Sequence, residues 1–186
     1  METVSFVHMD QGTAEEYAFL GELWDAHKNA HLVDNVLGLL KALKGPTLGY
    51  KIDRYDHSLQ TATRARNDGA DEETQVVALL HDIGDSIAPD NHSALAATVL
   101  RPFISEENHW LVKHHGVFQG YYFWHHQGGD RDARERYRGH PCFEMTANFC
   151  ERWDQRSFDP DYETLPLEAF EPAVRRLFAK EPRGFG

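Results

Sequence analysis

Residues 76–85 of this chain read VVALLHDIGD. The first five are apolar with no polar face, which predicts a helix buried in a core rather than one lying on a surface. The run ends in His81 and Asp82, whose burial is costly unless a partner satisfies them, and a metal ion is the usual partner. Gly84 then lets the chain leave the helix. The alternative interpretation is a capped helix end in which the histidine and the aspartate satisfy each other.

The composition limits the classes of function. A chain of 186 residues favours one domain, residues 1–186, with a sizeable core. The net charge of −11, with no run of more than two lysines or arginines, argues against a nucleic-acid partner. No apolar run is long enough to span a membrane and no signal-peptide pattern begins at Met1, so we expect no membrane partner.

The two cysteines, Cys142 and Cys150, fall in one predicted helix. Eight residues of helix rise about 12 Å, which is too far for a disulfide. We therefore expect buried free thiols and a protein of the reducing cytoplasm.

Helical periodicity and capping residues predict an all-α fold. The first predicted helix begins after Thr13, the second covers about 31–43, the third starts near Asp56 and the fourth follows the cap Asp71. The fifth starts near Asn91, the sixth covers about 105–115, the seventh opens at Pro141 and the eighth covers about 167–179. The apolar face of the first would be Phe19, Leu20, Leu23 and Trp24. No stretch shows the alternation of a strand, and no internal repeat or linker is visible.

Several polar side chains fall on predicted apolar faces, where a bare imidazole or carboxylate is not expected. These inward groups are His57, His81, Asp82, His92, one of the pair His114 and His115, and Asp154. For Asp154 the alternative is a helix-end carboxylate in solvent. His27 and His31 have the i, i+4 spacing of metal ligands, but no carboxylate is placed beside them and we expect both to be exposed.

The inward set has the composition of a metal site. Four imidazoles and two carboxylates favour iron, manganese, cobalt or zinc over calcium or magnesium. Six ligands with one bridging carboxylate indicate two metals rather than one. Two metals about 3.5–4 Å apart can activate a water, polarise an ester or bind dioxygen. The ligand set does not choose among these reactions.

The order of these ligands over about residues 50–155 resembles the HD-domain superfamily of metal-dependent phosphohydrolases, whose fold is a helical bundle. A narrower likeness is visible in DHSLQTA at residues 56–62 and LLHDIG at residues 79–84. Both resemble the oxygenase branch, which contains myo-inositol oxygenase and the phosphonate-cleaving HD-domain diiron oxygenases. The resemblance implies a mixed-valent Fe(II)/Fe(III) pair that uses dioxygen to oxidise a small substrate.

The resemblance also implies roles for the ligands. Asp82 would bridge the metals, with His57, His81 and Asp154 at one iron and His92 and His115 at the other. We therefore predict a diiron oxygenase that acts with O2 on a small hydroxylated or amino-bearing molecule, with other divalent transition metals as alternatives to iron. A phosphohydrolase of nucleotides or phosphomonoesters and a metal-bearing sensor without turnover stay open. Against the hydrolase, few basic residues are near the ligands in sequence, the nearest being Lys113 and Arg64.

Three positions depart from the oxygenase branch. Asp85 stands where the relatives carry a histidine or a lysine, Gln119 stands where a lysine grips phosphonate, and Tyr50 with Thr47 represents a lid. We predict that Asp85, Tyr50 and Gln119 face the substrate and that the substrate is not a phosphonate. Asp85 and the aromatic residues 121–124 would favour a cation or a polyol. The alternative is that Asp85 caps a turn and the aromatics belong to the core. The sequence does not predict the oligomeric state.

Overall fold

The computed structural model describes residues 2–183, which form seven α-helices, short 3-10 turns and no strand. The α-helices are α1 (Ala14–Lys41), α2 (Arg54–Asn67), α3 (Glu72–Leu80), α4 (His92–Leu100), α5 (Glu106–Phe123), α6 (Phe143–Arg152) and α7 (Glu171–Phe178). The 3-10 turns are Met9–Gln11, Pro89–Asn91, Trp124–Gln127, Ala133–Tyr137, Asp154–Arg156 and Leu167–Ala169. The predicted all-α fold is confirmed. Within residues 2–183, no helix has the length and apolar character needed to cross a membrane.

Helix α3 is the centre of the core. Asp71 caps it by accepting a hydrogen bond from the backbone N–H of Thr74 at 2.7 Å. Residues 76–80 are 0% exposed, and α2, α5 and α7 contact the helix. This segment has no polar face because other helices bury it on all sides. His81 directly follows the last helical residue, so the same burial carries its imidazole into the interior.

Polar contacts fix the helices that carry the other inward groups. Asp53 caps α2 by accepting a hydrogen bond from the backbone N–H of Asp56 at 2.9 Å. Glu73 of α3 accepts hydrogen bonds from the backbone N–H of Ser105 at 2.6 Å and from the side chain of Asn108 at 2.9 Å. These two bonds tie the start of α5 to α3.

Helix α1 differs from the prediction of two separate helices. It runs without a break, since no proline interrupts it, and it begins with a capping box between Thr13 and Glu16. Its first half is largely exposed, with Leu23 at 51% and Trp24 at 71%, so the apolar face predicted there does not pack on the core. The second half reaches the core.

Two other helix boundaries differ from the prediction. Helix α5 continues to Phe123, well past the expected end near residue 115, and remains helical through Gly116 and Gly120. Helix α6 ends at Arg152, and Asp154 begins the following 3-10 turn. Asp154 therefore enters the interior from a turn rather than from the helix itself.

The two cysteines are both buried and free, as predicted. Cys142 precedes α6 as its N-cap residue, and Cys150 lies within the helix. Burial raises the pKa of the Cys150 thiol well above its ordinary value, so this thiol stays protonated at neutral pH.

Candidate metal centre

Six polar side chains converge beyond the end of α3. His57 comes from α2, His81 and Asp82 follow α3, His92 begins α4, His115 comes from α5, and Asp154 follows α6. The loop after Asp82 passes very close to α4, because a Cβ at Gly84 would lie 2.7 Å from the backbone oxygen of His92. Glycine at this position is what allows His92 to approach the cluster.

Asp82 lies between two groups of imidazoles. Its Oδ2 is 3.4 Å from Nε2 of His57 and 3.4 Å from Nε2 of His81. Its Oδ1 is 3.1 Å from Nε2 of His115 and 3.5 Å from Nε2 of His92. Asp154 completes the first group, with Oδ1 at 3.3 Å from Nε2 of His57. Each oxygen of one carboxylate therefore faces a different pair of histidines.

The four imidazoles are oriented in the same way. In each ring Nδ1 lies close to a backbone carbonyl, which can only accept a hydrogen bond, so Nδ1 carries the hydrogen. The carbonyls are those of Ser157 for His57 (2.8 Å), Ala78 for His81 (2.8 Å), Pro89 for His92 (3.1 Å) and Val112 for His115 (2.7 Å). Every Nε2 is thereby directed toward Asp82, where it can hold either a proton or a metal.

The electrostatics of the cluster favour ionised carboxylates at Asp82 and Asp154 and a positive imidazole at His57. Burial disfavours a charge on His57, but Asp154 and Asp82 outweigh this effect and raise its pKa to about 9. Burial also disfavours ionised Asp154, yet its bonds with His57 and His81 lower its pKa well below the ordinary value. Both effects mean that a metal cation would replace a proton on His57 while meeting a carboxylate that is already ionised.

The donors present fit a transition metal. Oδ2 of Asp154 is buried without a hydrogen-bond partner, which is costly for a carboxylate oxygen unless a cation meets it. Donor atoms of His57, His81 and Asp154 lie within 4.8 Å of one another, and so do those of His81, Asp82 and His115. Imidazole nitrogen together with carboxylate oxygen suits the borderline divalent metals.

A cavity of about 630 Å³ opens onto the cluster. Its lining includes four of the converging side chains, Asp82, His92, His115 and Asp154, the aromatic residues Tyr50, Tyr122, Phe123, Trp124 and Phe158, and the polar residues Arg54, Lys113 and Gln119. A cavity of this size accommodates a small molecule beside the candidate metal ligands.

Arg54 is the main residue of the site that was not predicted from the sequence. It begins α2, and its Nη1 lies 3.9 Å from Oδ2 of Asp82. Its guanidinium lies over the rings of Tyr50 at 5.3 Å and Phe158 at 5.5 Å. The available signal was its i, i+3 spacing from His57, which places the two side chains on one helix face.

The two basic residues named from the sequence have different positions. Lys113 lines the cavity. Arg64 does not, and its guanidinium instead lies 3.7 Å from the ring centre of Tyr162 and donates to the backbone oxygen of Arg156. The cluster therefore has a closer cation than either of them, in Arg54.

Tyr50 and Gln119, predicted to face the substrate, both line the cavity. Tyr50 is half exposed and stacks on Phe158 with the ring centres 4.7 Å apart. Gln119 donates a hydrogen bond from Nε2 to Oδ1 of Asp154 at 3.1 Å. Gln119 thus contacts a metal-ligand candidate directly, and the contact of either residue with substrate stays a prediction.

Asp85 lies at the rim of the cluster, and its contact with substrate stays a prediction. One oxygen lies 2.9 Å from Nε of Arg54 and the other lies 3.2 Å from Nδ1 of His92, and Asp85 is not among the residues that line the cavity. The aromatic run is divided as well. Tyr122, Phe123 and Trp124 line the cavity, whereas Tyr121 lies against Arg131 and Arg134.

The structure also decides between His114 and His115 and between the two alternatives for Asp154. His115 is 2% exposed inside the cluster, whereas Nδ1 of His114 lies 2.8 Å from the backbone oxygen of Trp110 and its ring stacks on that indole. Asp154 is 3% exposed, which excludes the alternative of a carboxylate in solvent. His27 and His31 are exposed on α1, as expected.

Comparison with curated proteins finds no relative with a significant match. The model of the HD domain matches residues 54–161, which is more than half of the chain and includes all six converging side chains. This match confirms the predicted all-α HD bundle. The chain therefore belongs to the HD-domain family, whose members are generally metal-dependent enzymes.

Proposed function

We propose that this protein is a two-metal oxygenase that uses dioxygen to oxidise a small hydroxylated or amino-bearing substrate. The observation that carries the proposal is the position of Asp82, with one oxygen toward His57 and His81 and the other toward His92 and His115. This is the arrangement that a bridging carboxylate needs. The sequence resemblance to the diiron branch of the family adds the choice of iron and of oxygen chemistry.

The two proposed metal positions have unequal numbers of protein donors. His57, His81, Asp154 and one oxygen of Asp82 would hold the first metal. His92, His115 and the other oxygen of Asp82 would hold the second. Such a pair, when bound, supplies Lewis acidity and a means of activating dioxygen. The second position has fewer protein donors and both of its histidines line the cavity, so we assign the substrate to that side.

The chain's own residues would position the substrate and limit the access of water. Tyr50 and Phe158 form a stacked aromatic wall beside the cluster. Gln119 orients Asp154 through its hydrogen bond. Arg54 and Lys113 bring positive charge to the same cavity. The pairing of Asp85 with Arg54 weakens one of the two grounds for expecting a cationic substrate, and the aromatic residues Tyr122, Phe123 and Trp124 in the cavity remain the other.

The same two cations support a second candidate, a phosphohydrolase of nucleotides or phosphomonoesters. Phosphate groups are bound by arginine and lysine side chains, and a two-metal site can activate the attacking water. Arg54 is partly neutralised by Asp85, which leaves less positive charge for a phosphate than the lining alone indicates. We therefore place this candidate second.

The test is to purify the protein anaerobically with iron and to determine its metal content. An electron paramagnetic resonance spectrum after partial reduction reports a mixed-valent pair. Oxygen consumption is then measured with hydroxy acids, amino alcohols and polyols, and phosphate release with nucleotides and phosphomonoesters. We expect two irons per chain, a mixed-valent signal and substrate-dependent oxygen uptake that His115→Ala abolishes and His114→Ala retains. Phosphate release without oxygen uptake would move the protein to the hydrolase candidate.

A further inference from the structure

One of the four converging histidines has a partner that the others lack. His57, His81 and His115 direct Nδ1 to a backbone carbonyl. His92 also approaches a carbonyl, that of Pro89 at 3.1 Å, but its Nδ1 lies 3.2 Å from a carboxylate oxygen of Asp85 as well. The ring of His92 is therefore held by a charged group and not by a backbone dipole alone.

Asp85 is itself fixed in place. Its second oxygen is 2.9 Å from Nε of Arg54, whose guanidinium lies over the rings of Tyr50 and Phe158. Gly84 keeps the preceding loop against the backbone of His92. Since the loop and the guanidinium are both held, the carboxylate is directed at His92 and has little freedom to rotate toward the cavity.

We propose that Asp85 is a positioning residue that acts through His92 and holds the metal on the cavity side. The carbonyl of Pro89 accepts the Nδ1 hydrogen of His92, and a carboxylate 3.2 Å from the same nitrogen reinforces that tautomer and makes Nε2 a stronger donor. Arg54 balances the charge of Asp85, so that this second carboxylate is tolerated beside Asp82. The inference rests on the two-metal site proposed above, and it assigns Asp85 a role other than contact with the substrate.

The proposal predicts a selective effect on one of two binding steps. Loss of such a partner costs about 10- to 100-fold in metal affinity. In Asp85→Asn we therefore expect the first equivalent of metal to bind as in the wild type and the second to bind about 10- to 100-fold more weakly. Asp85→Glu, which keeps the carboxylate, should recover part of that affinity.

The experiment is a titration of the metal-free protein with cobalt(II) under anaerobic conditions, followed by visible absorption and by equilibrium dialysis. Circular dichroism and thermal unfolding of the metal-free variants show whether each is folded. Asp34→Asn is the matched control, because it also removes a carboxylate paired with an arginine, Arg175 at 2.8 Å, but on the face between α1 and α7. We expect both binding steps of this control to be unchanged.

Arg54→Gln separates the proposed role from a purely structural one. If the ion pair with Asp85 only braces the loop, Arg54→Gln should weaken the second step as much as Asp85→Asn does, and that result would overturn the proposal. If Asp85 acts through His92, Arg54→Gln, which keeps the carboxylate of Asp85 but removes the group that holds it, should weaken the second step less than Asp85→Asn does. Equal weakening of both steps in Asp85→Asn, or no weakening, would also overturn it. A wild-type protein that binds only one equivalent would instead refute the two-metal function.

Discussion

Replacing Asp82 by alanine should remove both metals at once. The two oxygens of this carboxylate face different histidine pairs at distances between 3.1 and 3.5 Å, so each metal position loses a ligand. A partner outside the ligand shell already contributes about 10- to 100-fold to affinity, so a direct ligand should contribute at least about 100-fold at each position. The product of the two binding constants should then fall by at least about ten-thousandfold.

The same loss can be expressed as thermal stability. A metal present at 100 times its dissociation constant stabilises the folded state by about 2.7 kcal/mol, so two metals contribute about 5 kcal/mol. For a chain of this size 1 kcal/mol corresponds to about 2–4 °C, which gives a metal-dependent rise in Tm of about 10–20 °C. We expect this rise in the wild type and little or none in Asp82→Ala.

The measurement is differential scanning fluorimetry with and without added metal, together with metal analysis of the dialysed protein. Comparing each variant with its own metal-free form cancels any change that the substitution makes to the metal-free fold. Asp25→Ala is the control, since it removes an exposed carboxylate of α1 that pairs with Lys28. Two equivalents bound to Asp82→Ala, with the full rise in Tm, would refute the bridging role.

Three further outcomes are expected. His115→Ala should bind less metal than His114→Ala by metal analysis, because only the former ring lies inside the cluster, and the reverse order would shift the assigned ligand by one residue. Leu79→Ala should lower the free energy of unfolding in urea by about 2–5 kcal/mol, because Leu79 is fully buried in α3 and truncation leaves a cavity. Backbone N–H groups of Ser5 and Thr13 lower the pKa of Glu16 from 4.5 to about 2, so its stabilising effect should be complete above pH 4.5 and lost as the pH falls toward 2. Thermal unfolding across that range should show a smaller pH dependence in Glu16→Gln, and an unchanged dependence would contradict the assignment.

The elements predicted best from the sequence are those in which a polar residue interrupts an apolar pattern. The apolar run before His81 predicted the central buried helix, and the family match confirms the HD domain around it. The convergence of the predicted ligands also depends on residues far apart in the chain, but each was recognisable by itself as an imidazole or carboxylate on an apolar face. Local pattern was therefore sufficient to select the candidate donors.

The features that the sequence did not predict depend on contacts between distant segments. The position of Arg54 beside Asp82 required the packing of α2 on the loop after α3. The spacing from Asp82 predicted that Asp85 lies at the rim of the cluster, but its approach to His92 depends on the close packing of the loop at Gly84 against α4. The exposure of the apolar face at the start of α1 was also not predicted, because an apolar stripe indicates a partner surface but does not specify that the partner lies in the same core.

The backbone carbonyls that hold the four imidazole rings have a consequence for how the protein would bind the metals proposed above. Because folding itself aligns the Nε2 atoms, the imidazole rings would not need to reorient when an ion binds. A rigid site of imidazoles and carboxylates follows the general affinity series of divalent ions, in which copper and zinc exceed iron. The identity of the bound metal would then depend on which ions are available to the folded chain, so expression conditions should change the metal content of otherwise identical protein.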